Sequence, residues 1–289
     1  MTHSTKAYPR LSSRLGALSL LTIALVFSAS AAPATAAVPR FWFSSHSSAN
    51  YVALGDSFTS GQGAPPYLIG PCLQSKYASY PIITATLSTY KLAANKSCSG
   101  ADTNAVMAQL GQLPDSLKGP SSPVRLVTLT VGGIDAGSND LLTFCAPNLP
   151  SQPCLDAIQT AGNKLYLLGP KLVETYVAVA SAMPTARIIV LTYPRLFNAS
   201  VSPLGDAVNL VTDALNATIT GAADSARHSG KNVQLVDVTQ EFANHGIGAS
   251  IPYISFDPTN PSAPANLHPN ALGNSLGYFR ALLNDRVLG

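Results

Sequence analysis

A serine stands at the end of an apolar run in Tyr51-Val52-Ala53-Leu54-Gly55-Asp56-Ser57-Phe58-Thr59-Ser60-Gly61. A hydroxyl placed directly after a buried strand, with a glycine on either side, sits where a nucleophile can be exposed at a sheet edge. The same run also suits a strand-ending turn in which Asp and Ser cap the next segment. A second segment, Ser97-Cys98-Ser99-Gly100-Ala101, precedes a helix-like stretch, so its free amides can face an anion. A third, Val131-Gly132-Gly133-Ile134-Asp135, closes another apolar run. Near the carboxyl end, Leu267-His268-Pro269-Asn270 carries a histidine beside a proline suited to open a helix. Together they offer the residue types of nucleophilic catalysis: a hydroxyl, a base for its proton, and amides able to face an anion.

Other chemistries find no residues to carry them. There is no H-E-x-x-H zinc pair, no G-x-x-x-x-G-K phosphate loop and no G-x-G-x-x-G opening a helix, so no metal or cofactor is expected. Tandem carboxylates suited to glycoside hydrolysis are not evident. Gly273-Asn274-Ser275-Leu276-Gly277 is a literal G-x-S-x-G. It lies inside a helix-like segment with no histidine after it, whereas an α/β-hydrolase elbow follows a strand and precedes its histidine. Of the other histidines, His46 and His228 read as solvated, and His245, between Asn244 and Gly246, reads as a structural cap. His268 is therefore the preferred base.

These residues need a frame to bring them together. YVALG (51–55), LVTLTVG (126–132), RIIVLTY (187–193) and VQLVDV (233–238) are β-branched runs of strand length. Helix-like segments fall near 101–112, 155–182, 204–227 and 269–287. Strands alternating with helices predict crossover connections and a parallel sheet covered on both faces, with ligands at the carboxyl ends of the strands. No repeat and no second composition regime appears, which predicts one α/β domain over 50–289.

In order and spacing, these blocks resemble the GDSL, or SGNH, hydrolase family, specifically its secreted actinobacterial lipase/esterase branch. Leu191-Thr192-Tyr193-Pro194-Arg195-Leu196-Phe197 and Asp237 to His245 add to the likeness, which spans roughly residues 50–289. The resemblance implies a three-layer α/β/α, flavodoxin-like fold and a serine hydrolase that cleaves carboxylic esters through an acyl-enzyme. Ser57 would be the nucleophile, His268 the general base, and the amides of Ser57 and Gly100 oxyanion donors. Two positions depart from the family pattern. Its third block reads Gly-Gly-Asn-Asp, and here Ile134 stands where the donor Asn would be, leaving Asn139 as the substitute. Its last block often has Asp three residues before the His, where this chain has Ala265. A backbone carbonyl can orient the histidine instead, with Asp257 as a fallback partner. These departures motivate an alternative: an inactive frame of the same fold that binds lipid or cell-wall glycan.

The amino end reads as an address. Residues 1–14 are polar and positive, Leu15 to Phe27 is an uncharged, mostly apolar run, and Ala34-Thr35-Ala36 is an A-x-A site, so 1–36 is a predicted secretory signal. The apolar run is 13 residues, short of the roughly 20 needed to span a bilayer. Residues 37–49 are a predicted tether carrying Trp42, the only tryptophan. The chain has 17 Lys+Arg against 14 Asp+Glu, and Lys6, Arg10 and Arg14 supply the whole excess. The remaining residues are neutral, which argues against nucleic acid or an anionic membrane as partner and suits an uncharged or lipid ester. Export to an oxidising compartment predicts two disulfides from the four cysteines, Cys72, Cys98, Cys145 and Cys154. Three connectivities are open, and order along the chain favours Cys72–Cys98 and Cys145–Cys154.

Overall fold

The computed structural model describes residues 49–145, 151–260 and 262–288. The predicted signal and almost all of the tether, His46 and Trp42 included, therefore lie outside the described residues. Strand β1 (Asn50–Gly55) leads into the short helix α1 (Ser57–Ser60). Next come α2 (Tyr80–Leu87), β2 (Lys91–Asn95), α3 (Thr103–Gly111), β3 (Val124–Thr130) and α4 (Ser138–Cys145). The long helices α5 (Gln152–Ala182) and α6 (Pro203–His228) flank β4 (Arg187–Leu191). Strand β5 (Val233–Val236), a π-helical turn (Gly273–Phe279) and α7 (Arg280–Asn284) complete the order.

All pairings in the five-stranded sheet are parallel, in the order β2-β1-β3-β4-β5. This is the flavodoxin-like order, and it reverses direction between β1 and β3. Alternate residues of each strand face opposite layers. Val52, Leu54, Val127, Leu129, Ile188 and Val190 pack under α3, α5 and α6. Tyr51, Ala53, Leu126, Ile189 and Leu191 pack against α2, the π-helical turn and α7 on the other side. The three-layer α/β/α expectation is what the chain forms.

Four of these elements escaped the sequence reading: β2, α2 and the short helices α1 and α4. Strand β2 (KLAAN) is an edge strand whose side chains are exposed or half-buried, so it lacks the apolar run by which its neighbours were recognised. Helix α2 has Pro81 in its first turn and is only eight residues long. Strands β3 and β4 stop at Thr130 and Leu191, two residues short of the predicted ends. Beyond β3, Gly132 takes a φ of 120°, outside the strand region. The predicted helix at 269–287 is a π-helical turn followed by five α-helical residues. There, Gly273 and Gly277 serve packing: a Cβ would meet Tyr253 O at 2.3 Å and the Phe242 ring at 2.2 Å. The G-x-S-x-G run is thus a close-approach surface, and Ser275 Oγ donates to Ala271 O at 2.8 Å.

Cys72 and Cys98 form a disulfide. The expected Cys145–Cys154 pairing rests on the side chain of Cys145, which lies outside the described residues; Cys154 is buried. No helix among the described residues is long and apolar enough to cross a membrane.

Candidate active site

The first strand delivers the serine by a tight turn. Gly55 adopts a φ of 123°, and a Cβ there would lie 2.4 Å from Thr130 O, so only glycine fits. Gln109 of α3 grips the same glycine, accepting from Gly55 N at 2.8 Å and donating to Gly55 O at 2.9 Å. Asp56 caps α1, its carboxylate accepting from Phe58 N at 2.9 Å. That leaves Ser57 as the first helical residue, whose amide has no partner within its own helix.

Asp56 does more than cap. Its side chain is 2% exposed and also accepts from Thr130 Oγ1 at 2.6 Å and from the Tyr193 hydroxyl. Burial pushes its carboxyl up to about 6, against the pull of the Thr130, Tyr193, Phe58 and Thr59 donors. None of these partners was foreseen, although Tyr193 stands in a segment singled out on other grounds. Their signal is absent locally, since Tyr193 lies 137 residues from Asp56.

His268 comes to Ser57 from 211 residues away, with Nε2 2.8 Å from Ser57 Oγ. Its Nδ1 lies 2.7 Å from the carbonyl of Asn266. A carbonyl can only accept, so Nδ1 carries the ring proton and Nε2 presents its lone pair to the serine hydroxyl. The orienting group is thus a main-chain oxygen. The fallback Asp257 is not used: it is exposed and its carboxylate accepts from Thr259 N at 2.9 Å and Thr259 Oγ1 at 2.6 Å. The loop does fold back, through Asn266, which accepts from Asp257 N at 2.8 Å and donates to Asn260 O at 2.9 Å. Leu267, between the carbonyl and the imidazole, has a φ of 63°, a strained setting for a leucine. Burial pushes the His268 imidazole down to about 4, only partly offset by the Asn266 carbonyl, so the ring is neutral at pH 7.

The predicted oxyanion groups converge on the same cavity of about 220 Å³. Gly100 has a φ of 75° in a turn closed by Ala101 N donating to Cys98 O at 3.1 Å. The Cys72–Cys98 disulfide and Ser99 N, donating to Cys72 O at 3.1 Å, brace that turn. Asn139, in the first turn of α4, also lines the cavity, as does Ile134. Asp135 is the structural member of its block, accepting from Thr103 N at 3.0 Å and Thr103 Oγ1 at 2.8 Å. Phe58, Leu196, Val208, Val211 and Leu215 give the wall an apolar part, and Gln62, Ser99, Ser138 and Thr212 line it as well. Among the described residues no cluster of His, Cys, Asp and Glu is arranged to hold a metal ion.

Neither remaining histidine that the structure describes lines this cavity. His245 stacks on Tyr253 with ring centroids 3.8 Å apart, and its Nδ1 lies 2.8 Å from Ile251 O. His228 lies 2.8 Å from Asp224 O at the end of α6.

A serine at the end of β1, a histidine before the last helix and a cavity at the sheet's switch point define a hydrolase of the three-layer α/β class. Residues 53–276 match the model of the GDSL-like lipase/acylhydrolase family, and the chain belongs to that family as a carboxylic ester hydrolase. It is 34% identical to a lipase of Streptomyces rimosus over 287 residues, covering 94% of this chain and 98% of the relative. Lipase 1 of Streptomyces coelicolor is 33% identical over 245 residues, covering 80% and 85% of the two chains. Among solved structures, the extracellular lipase of S. rimosus superposes with a TM-score of 0.71 at 32% identity, covering 81% of this chain and 98% of that one. Phospholipase A1 of Streptomyces albidoflavus gives 0.70 at 31%, covering 82% and 99%.

Proposed function

We propose that the chain is a secreted lipase/esterase that cleaves carboxylic esters through an acyl-enzyme on Ser57. The observation that carries this reading is the 2.8 Å contact between Ser57 Oγ and the unprotonated Nε2 of His268, in a cavity with apolar side chains along part of its wall. As Oγ attacks the ester carbon, its proton passes to Nε2 and the carbonyl oxygen becomes an oxyanion. The amides of Ser57 and Gly100 and the Asn139 side-chain amide are its donors; losing one such donor typically costs about 10²–10³ in turnover. Collapse breaks the carbon–oxygen bond to the alcohol, which leaves with the His268 proton. Water, deprotonated by the same imidazole, then releases the acid and restores Ser57. The acyl chain lies along Ile134, Leu196 and the α6 side chains Val208, Val211 and Leu215, which suits an uncharged chain of several carbons.

Export rests on the polar, apolar and A-x-A parts of residues 1–36 and fits the Cys72–Cys98 disulfide. The mature enzyme would begin near Ala37 and keep residues 50–289 as its catalytic domain. Mass spectrometry of the secreted protein should find Met1 to Ala36 missing. The decisive test of the chemistry is Ser57→Ala with a p-nitrophenyl ester and a fluorophosphonate probe. Turnover and covalent labelling should both vanish; wild-type hydrolysis by the variant would sink the proposal.

A further inference from the structure

The amide of Gly133, beside the cavity, is already committed. It donates to the Tyr193 hydroxyl at 3.2 Å, and that hydroxyl donates onward to the Asp56 carboxylate. Strands β1, β3 and β4 are neighbours in that order. A tyrosine leaving β4 therefore reaches across the end of β3 to the end of β1. Tyr193 is itself held: its N–H donates to Asn216 Oδ1 at 2.9 Å, and its carbonyl accepts from Asn216 Nδ2 at 2.8 Å. Phe58 packs edge-to-face on its ring, centroids 4.9 Å apart.

Each end of this bridge reaches a group assigned to the reaction. Asp56 caps the helix that begins with Ser57. Gly133 opens a stiff turn in which Ala136 N donates to Gly132 O at 2.9 Å, Gly137 N to Ile134 O at 2.9 Å and Ser138 N to Gly133 O at 3.1 Å. The next residue is Asn139. These three hydrogen bonds across residues 132–138 tie an anchor at Gly133 to the segment that leads into Asn139.

We propose that Tyr193 is a positioning residue that sets the separation of Ser57 and Asn139 by bridging Asp56 to Gly133. The proposal rests on the reading of Ser57 as nucleophile and Asn139 as donor. Replacing tyrosine by phenylalanine keeps the ring packing and removes both hydrogen bonds, so the Gly133–Asn139 turn is released while the cavity keeps its walls.

The test is Tyr193→Phe alone and combined with Asn139→Ala, with p-nitrophenyl butyrate as substrate. Active sites are counted by exhaustive titration with a fluorophosphonate, so that unfolded protein does not enter the rate. Tyr193→Phe should lower kcat per titrated site by about 10–100-fold, as a misplacement of about 1 Å does, and leave KM within about twofold. In the Asn139→Ala background the same change should cost less than about threefold, because the donor it positions is gone. A purely structural tyrosine would lower the number of titratable sites and the melting temperature, and leave kcat per site alone. That result, or an equal loss in both backgrounds, overturns the proposal. Asn216→Ser loosens the same tyrosine from α6 and should carry the same signature at smaller size, which keeps the proposal testable if Tyr193→Phe does not fold. Failure of the unmutated protein to label would instead sink the acyl-enzyme reading, and the positioning role with it.

Discussion

Gly63→Ala tests how closely the serine and histidine segments must approach. Gly63 lies just beyond α1, and a Cβ there would sit 2.4 Å from Pro269 O, 2.5 Å from His268 O and 2.6 Å from His268 C. Its φ lies outside the range that disfavours side chains, so the substitution adds crowding without backbone strain of its own. The atoms it would strike are main chain and have no rotamer by which to step aside. Ordinary contact requires about 3.5 Å, so the His268 backbone has to retreat by about 1 Å. The 2.8 Å bond from Ser57 Oγ to Nε2 then lengthens toward about 3.8 Å, beyond the roughly 3.2 Å over which a base takes a proton. A displacement of that size costs about 10²-fold in kcat. Overpacking should also lower stability by about 1–3 kcal/mol. The assay is kcat on p-nitrophenyl butyrate, with the rate of fluorophosphonate labelling as a second measure and thermal melting as the check on folding. Gly111→Ala in α3, where a Cβ meets nothing within 4 Å, is the control and should keep full activity. A folded Gly63→Ala enzyme with kcat within about threefold of wild type would refute the steric argument.

Asn139→Ala should lose about 10²-fold in kcat, and adding Ile134→Asn should recover part of it by restoring a donor at the neighbouring wall; no recovery in steady-state kinetics would place the third donor elsewhere. Because burial depresses the His268 pKa to about 4, the imidazole is neutral above that value and becomes protonated as pH falls through it. The acid limb of kcat/KM assigned to His268 should accordingly fall near 4, and an inflection near 6 that survives Asp56→Asn would contradict this. Leu215→Trp fills the apolar end of the cavity, so relative rates across p-nitrophenyl acetate to decanoate should shift toward the short chains; an unchanged profile would remove α6 from the acyl site. Replacing Cys72 and Cys98 together by serine opens a loop of sequence separation 26. By loop-closure entropy, urea unfolding should show a loss of about 3.5 kcal/mol.

The alternation of strand and helix, the serine after β1, the glycine turn at Gly100 and the histidine before the last helix could all be read along the chain. Each is stated within a few residues, by an apolar run, a cap or a turn residue, and such patterns arise from local backbone physics. The edge strand β2 was hidden for the same reason: it buries too little to need an apolar pattern. A backbone carbonyl was one expectation for orienting His268, with Asp257 as the fallback, but which residue supplies it was not legible. Ala265 in the sequence reports only that the usual carboxylate is missing. The Asn266 carbonyl takes its place because the loop is pinned by the Asn266 side chain, with Leu267 held at a φ of 63°.

By itself, then, the sequence determined the fold class and the family, and it supplied the expectations that Ser57 and His268 carry the acyl transfer and that residues 1–36 direct export. Only the tertiary structure decided the company those residues keep: a carbonyl behind the histidine, Asn139 beside Ile134 on the cavity wall, and the Asp56–Tyr193–Gly133 bridge across three strand ends. The physical reason is separation along the chain. Partners 137 and 211 residues apart leave no periodicity to read, and they meet because parallel strands gather their carboxyl ends at one edge of the sheet.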